Sequence, residues 1–354
     1  MTSTHTSHIK PDPEAGHANP KAIAIWLFFS AFMVFAMMII GAITRLSEAG
    51  LSMVEWRPLI GALPPLSDGE WQRVFDLYRE TPEYQKKNAW MEIGDFKTIF
   101  FWEWFHRFWG RMIGLVFALP LIFFWVRKMI PHTYHLKLFG LLILGGAQGF
   151  MGWYMVQSGL VDQPAVSHYR LAAHLSLAFL IFACLSWLGL SLTLKTRRFS
   201  DPSLNIHSWI ALSFLGVTII WGAFTAGLDA GLVYNDSFPK MGGQWIPPDF
   251  WKYDSIWMNI LENHSGVQFA HRWIAMFTVI IVLSLWLHGA FKHKTFRALH
   301  AAAIMALAQM SLGIGTILSG VHIHTATMHQ AGAVILLSLI LMCVFQTRSQ
   351  HETG

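Results

Sequence analysis

Eight stretches of about 20 apolar residues, each long enough to cross a bilayer as a helix, dominate this 354-residue chain. They cover residues 22–43, 103–126, 137–157, 171–194, 207–227, 267–290, 297–318 and 327–347. Within hydrocarbon, only helices and closed barrels satisfy every backbone polar group, and runs of this length specify helices. The expected fold is therefore all-α and integral to a membrane, with eight transmembrane helices. Composition agrees: 13% of residues are charged, where soluble domains carry about 25%. The 17 tryptophans suit the aromatic belts found at headgroup level.

Basic residues in short loops set the orientation. Arg127, Lys128 and Lys137 lie between the second and third runs, Lys195, Arg197 and Arg198 between the fourth and fifth, and Lys292, Lys294 and Arg297 between the sixth and seventh. The positive-inside rule makes those loops cytoplasmic, and both termini with them. The loops at 44–102 and 228–266 then face outward, and each is long enough to form a small cap. The net charge of +5 sits in the cytoplasmic loops, so it directs topology and gives no reason to expect a nucleic-acid partner. Cys184 and Cys343 each lie inside an apolar run, without a CxxC or zinc spacing, which argues against disulfide and thiolate–metal chemistry. Residues 1–21 resemble neither a secretory signal nor an Arg-rich presequence. They read as a disordered cytoplasmic tail on a bacterial inner-membrane protein, with a further short tail at 348–354.

The chain repeats itself. Residues 41–51 (GAITRLSEAGL) match 222–232 (GAFTAGLDAGL) at six of eleven positions, with Glu48 opposite Asp229. His-Arg recurs at 106–107 and 271–272, while 148–159 and 309–320 share Gln, Gly, Ser and Gly in register. The offsets are 181, 165 and 161 residues. Two tandem, pseudo-symmetric four-helix bundles are expected, at 22–195 with outer loop 44–102 and at 205–347 with outer loop 228–266. Because both begin inside, they would be parallel repeats about an axis near the membrane normal.

Eighteen histidines are a surplus. Four of them, His106, His174, His271 and His329, each stand near the outer start of an even-numbered span. They would lie at one depth and face each other in two couples, His106 with His174 and His271 with His329. Two imidazoles meeting across a bundle is how b-type heme iron is held. Four residues after each histidine stands a small residue, Gly110, Ala178, Ala275 or Ala333, as a flat macrocycle against a helix requires. No thiolate or carboxylate set completes a tetrahedral zinc or copper site around them. His5, His8, His17 and His351 fall in the tails, and His132, His135, His207, His288, His293 and His300 fall on the cytoplasmic side; all are expected to be solvated. His168, His264, His322 and His324 are on the outer side and receive no role.

The couples differ at one position. Glu103 precedes His106 by three residues and shares its helix face, whereas Gln268 precedes His271. A carboxylate can hold or pass a proton, and an amide can only hydrogen-bond. The first half can support acid–base chemistry, and the other half has the character of a fixed electron-carrying site. An alternative for Glu103 is an ion pair with Arg107 or Arg111. Arg45, Arg107, Arg170 and Arg272 at the outer span ends suit heme propionates or lipid headgroups equally well. Glu48 and Glu55 are further outer carboxylates on the first half's side.

At TRLSEAGLSMVEW (44–56), EWFHRFWGR (103–111), RLAAHL (170–175), FAHRW (269–273) and MHQAGA (328–333), the sequence resembles the heme A synthase family. The likeness runs from about residue 22 to 347, and the long first loop resembles the proteobacterial and mitochondrial branch. The resemblance implies oxidation of the C8 methyl of heme O to the formyl of heme A, by successive hydroxylations to a gem-diol and loss of water, for cytochrome c oxidase. It implies that His271 and His329 hold a heme b iron axially, that His106 and His174 face the iron of the heme O substrate, and that Glu103 is the essential acid. A cysteine pair present in other branches is absent from the first outer loop here. Expected partners are heme O, membrane lipid, an electron donor, heme O synthase and cytochrome oxidase assembly factors, with outward apolar faces that permit a homo-oligomer. Two rival classes predict other features. A b-type cytochrome subunit of a quinol oxidoreductase would bind two permanent hemes, and a transporter would place ionisable residues at the bilayer midplane, whereas here they cluster at one face.

Overall fold

Two of the helices begin where a capping side chain and a proline coincide. In the computed structural model, which describes residues 18–55, 61, 63–159, 165–194 and 199–348, Asn19 Oδ1 accepts from the amide of Ala22 at 3.1 Å. Pro20 takes the first helical position, where its missing N–H costs nothing, and helix α1 runs Pro20–Leu46. The expected tail of 1–21 thus ends before Pro20. Its first 17 residues, the tail beyond Arg348, Trp56, and the basic residues Lys195, Arg197 and Arg198 lie outside the described residues. The same device opens the second repeat: Asp201 accepts from the amides of Ser203 (3.0 Å) and Leu204 (3.1 Å) ahead of Pro202.

The remaining helices are α2 (Asp68–Arg79), α3 (Ile93–Val126), α4 (His135–Gln157), α5 (His168–Thr193), α6 (Pro202–Gly227), α7 (Ile256–Glu262), α8 (His264–Phe291), α9 (Arg297–Leu318) and α10 (Ile323–Thr347). All but α2 and α7 are long and apolar enough to cross a membrane, giving eight spans among the described residues, as expected. Helix α3 starts at Ile93, well before the expected 103. A reciprocal capping box between Glu92 and Asp95 starts it there, and its first turns belong to the cap instead of the apolar run.

Packing follows the repeat. Helix α1 packs on α3 and α5, and α4 on α5. In the second half, α6 packs on α8 and α10, and α9 on α8 and α10. Contacts of α5 with α6, α1 with α10 and α5 with α10 join the two sets, so α1, α5, α6 and α10 form the centre. Neither α3 and α5 nor α8 and α10 pack closely on one another. The centre is apolar, with Leu27, Leu185, Leu204, Leu285 and Ile340 at most 2% exposed. In lipid such contacts stabilise through close packing more than water exclusion. Small residues serve that end: Gly189 leaves room for the ring of Phe28, which stands 2.8 Å from where a Cβ would be.

At the end opposite the termini, each long loop forms a cap. In the first, α2 and a π-helical turn at Tyr84–Asn88 fold onto the start of α3, burying Phe75, Tyr78, Phe96 and Phe100. In the second, the buried Asn259 side chain bonds four backbone groups, the amides of Lys252 and Tyr253 and the carbonyls of Tyr253 and Ser255. The repeat reaches backbone detail here. Glu48 (φ 49°) and Asp229 (φ 50°) both turn left-handed just after α1 and α6, and the alanines that follow them, Ala49 and Ala230, are fully buried.

Candidate functional site

Each of the four histidines leans on a glycine of a neighbouring helix. A Cβ built on Gly41 of α1 would stand 3.1 Å from Cε1 of His106, and one on Gly152 of α4 would stand 3.1 Å from Cε1 of His174. In the second half, Gly222 of α6 meets His271 at 3.1 Å and Gly313 of α9 meets His329 at 2.8 Å. Those glycines are themselves repeat mates, 41 with 222 and 152 with 313. Any side chain there would push the ring away, so the missing Cβ sets where each imidazole can lie. His106 and His174 are close enough to interact electrostatically, as are His271 and His329. In each half the two rings thus lie within electrostatic reach, on helices that do not pack closely on each other.

The later histidine of each couple has a glutamine above it. Gln148 of α4 donates from Nε2 to the carbonyl of His174 at 3.1 Å and lies 3.3 Å from Nδ1 and 3.4 Å from Nε2 of the same ring. Gln309 of α9 donates to the carbonyl of His329 at 2.8 Å and lies 3.2 Å from Nδ1. The earlier histidines are barer. Nδ1 of His106 is buried without a hydrogen bond, and so is Nδ1 of His271, although the Thr218 carbonyl is within reach of that ring. Gln148, Gln309 and the four glycines stand in the sequence only as repeated letters, because their roles depend on contacts between helices.

Glu103 is buried at 3% exposure, and its carboxylate is fully engaged. One oxygen accepts from Ser52 Oγ and from the Met53 amide, both at 2.7 Å, while the other receives Arg107, which also donates to the Met53 carbonyl at 3.1 Å. The Arg107 ion pair that the sequence allows is present. It forms half of a clasp that holds residues 52–53 of the first cap against α3. The second half repeats the clasp with an amide in place of the carboxylate. Gln268 donates to the Val233 carbonyl at 2.7 Å, and Arg272 donates to Gln268 Oε1 (3.3 Å) and to the Tyr234 carbonyl (2.7 Å). Residues 233 and 234 follow 52 and 53 by the same 181 residues that separate Gly222 from Gly41.

The clasps revise the expectation for the arginines. Arg272 is 3% exposed and also donates to the carbonyls of Ser237 (2.9 Å) and Lys240 (3.1 Å). A buried guanidinium needs hydrogen-bond partners; the two terminal nitrogens of this one find theirs mainly in cap backbone, while its Nε has none. Arg170 donates to the Tyr154 carbonyl and lies 3.7 Å over that ring, and Arg45 pairs with Asp229 at 2.7 Å. Glu48 and Glu55 face cap cations, Lys87 at 3.7 Å and Arg73 at 3.0 Å. Of the small residues that follow the histidines, Gly110 faces Met37, and Ala178 and Ala333 pack on the apolar centre, so these positions serve helix contacts.

The other histidines divide. His168 bonds the Leu261 carbonyl at 3.1 Å, tying α5 to the second cap; His264, His322 and His324 are exposed. His207 and His288 are not simply solvated: their Nδ1 atoms lie 3.2 Å apart where α6 crosses α8, and His207 Nε2 meets Ser284 Oγ at 3.1 Å.

The model of the COX15-CtaA family, described as cytochrome oxidase assembly proteins, matches residues 24–341. The chain belongs to this family. Among its relatives is the heme A synthase of Rhodospirillum centenum, 50% identical over 93% of this chain and 89% of that protein. The heme A synthase of Nitrosospira multiformis is 42% identical over 99% of this chain and the whole of its own length. That of Paramagnetospirillum magneticum is 44% identical over 94% of each. The residues here fit what two-histidine heme binding needs: two imidazoles within electrostatic reach of each other in each half, carried by helices that do not pack closely together.

Proposed function

We propose that this chain acts as a heme A synthase, an oxidoreductase that converts the C8 methyl of heme O to the formyl of heme A. The carrying observation is that two near-equivalent imidazole couples differ in the clasp beside them, a Glu103–Arg107 ion pair in one and Gln268–Arg272 in the other. The half at 22–195 takes heme O between His106 and His174, and the half at 205–347 holds heme b between His271 and His329. When bound, heme b would supply one-electron transfer. The chain's own residues do the rest. Gly41, Gly152, Gly222 and Gly313 fix where the rings lie, the clasps hold the caps down, and Glu103 offers the acidic group beside the substrate couple. With the basic loops inside, this chemistry sits at the outer face of a bacterial inner membrane with both termini cytoplasmic, and electrons are exchanged with a separate redox partner. Heme O synthase and oxidase assembly factors are the partners that such a reaction requires.

Because Glu103 is also a clasp residue, the test has to separate the two roles. Glu103→Gln gives the first clasp the amide chemistry that already works at Gln268. Cells carrying it are expected to accumulate heme O and lose heme A, measured by chromatography of extracted hemes, while the purified protein keeps its heme b spectrum. Normal heme A output from Glu103→Gln would reduce Glu103 to a loop anchor. Pigment from the wild-type protein distinguishes the cytochrome alternative, which predicts heme B alone with no heme O or A.

A further inference from the structure

The two glutamines do not treat their histidines alike, and the difference lies three residues beyond each ring. After His329 comes Gly332, and Gln309 Oε1 stands 2.2 Å from where a Cβ on Gly332 would be. The amide therefore occupies a slot that only glycine leaves open. From that slot it reaches the His329 carbonyl and Nδ1 and leaves the Nε2 edge clear. The equivalent position after His174 is Leu177, half-buried against the apolar centre, so a side chain stands where the other helix has none. Gln148 instead lies across the ring, within 3.4 Å of both nitrogens. Both glutamines leave Oε1 buried without a partner, and each makes its hydrogen bonds to its histidine alone. A ligand approaching Nε2 of His174 has to displace the Gln148 amide, and one approaching His329 does not.

We infer that Gln148 is a positioning residue that parks His174 and makes the first heme site exchangeable, while the Gln309–Gly332 arrangement makes the second site retentive. The inference rests on the reading of the two couples given above. It assigns the difference between a substrate site and a cofactor site to one residue pair, Leu177 against Gly332, independently of the Glu103 chemistry. A product must leave the first site after each turnover, and a competing hydrogen bond waiting at the imidazole assists its release.

The test uses the full chain in detergent, loaded with ferric heme B as the probe, with transfer to excess apomyoglobin followed by absorbance. The wild-type protein is expected to release heme in a fast and a slow phase. Gln148→Ala removes the competitor and should slow the fast phase roughly fivefold, the size of one net hydrogen bond. Gly332→Ala drives Gln309 out of its slot and should speed the slow phase. An unchanged or faster fast phase in Gln148→Ala would overturn the inference, as would an unchanged slow phase in Gly332→Ala. His174→Ala tests the underlying reading separately. It should abolish the fast phase, and a fast phase that survives would mean that the exchanging heme is not on this couple at all.

Discussion

A single methyl group added at Gly313 would sit 2.8 Å from Cε1 of His329, and one at Gly41 would sit 3.1 Å from Cε1 of His106. Neither ring can retreat far, since its helix is fixed by its neighbours, and overpacking of this kind typically costs about 1–3 kcal/mol. Gly313→Ala should therefore displace His329 and alter the heme b signature, read as a changed low-spin electron paramagnetic resonance signal in purified protein. Gly41→Ala should leave that signal intact and depress conversion of heme O only. A Gly41→Ala protein with altered heme b resonance would show that the cradles do not serve separate couples. The four histidines stood out in the sequence because duplication marked their positions twice. Their cradles stood in the same repeats, but a glycine that meets a ring on another helix cannot be told in sequence from any other small residue in a span. Glu103 shows the opposite limit. Its spacing to His106 was plain, and so was an ion pair with Arg107, yet the backbone of Ser52 and Met53 that both residues hold comes from fifty residues away.

At the scale of elements, the first cap is held by apolar packing around a buried polar group. Glu83 is 4% exposed, accepts from the Tyr78 hydroxyl at 3.1 Å, and has Asn88 beyond it donating to the same hydroxyl at 2.8 Å. Burial pushes the Glu83 carboxyl from its ordinary 4.5 up to about 7, and it pushes the Tyr78 hydroxyl up as well. A carboxyl raised on folding binds its proton more tightly in the folded cap than in the open one. Its contribution to cap stability is thus complete below pH 4.5 and is lost as pH rises through about 7. The shift corresponds to a penalty on the order of 3 kcal/mol for the ionised form. Hydrogen exchange across α2 and the start of α3 should accelerate, beyond its intrinsic pH dependence, between those values. Glu83→Gln should remove that extra acceleration, and an identical pH profile in the variant would rule Glu83 out as its source. This element was also where hydropathy read least well. The spans themselves were legible because a bilayer demands length and apolarity together, but the early start of α3 depends on the Glu92–Asp95 box and on aromatic contacts with α2. Periodicity and hydropathy carry no record of either.

Across the whole molecule, α5 and α10 pack tightly into the centre, while the helix that carries the other histidine of each couple, α3 or α8, does not pack closely on its partner. A heme between α8 and α10 would add a direct link between two helices otherwise joined through α6 and α9, and a ligand that binds only the folded state stabilises it by mass action, about 4 kcal/mol at a thousandfold excess over its Kd. The effect should reach the first half, because Gln330, the neighbour of His329, donates to the Met38 carbonyl at 2.6 Å, one turn before Gly41. By contrast the Arg45–Asp229 pair, with side chains 29% and 57% exposed, joins the halves at the surface, and such pairs contribute at most about 1 kcal/mol. Three purified proteins discriminate these terms by thermal unfolding in detergent. His329→Ala should lose heme b, melt several degrees below wild type, and expose the amides of α1 around Met38 to exchange. His106→Ala, which empties a site that exchanges its heme, should melt near wild type, and Arg45→Ala should do the same. If His106→Ala lowered the melting temperature as far as His329→Ala, the two couples would be retaining heme equally, and the division into substrate side and cofactor side would have to be given up.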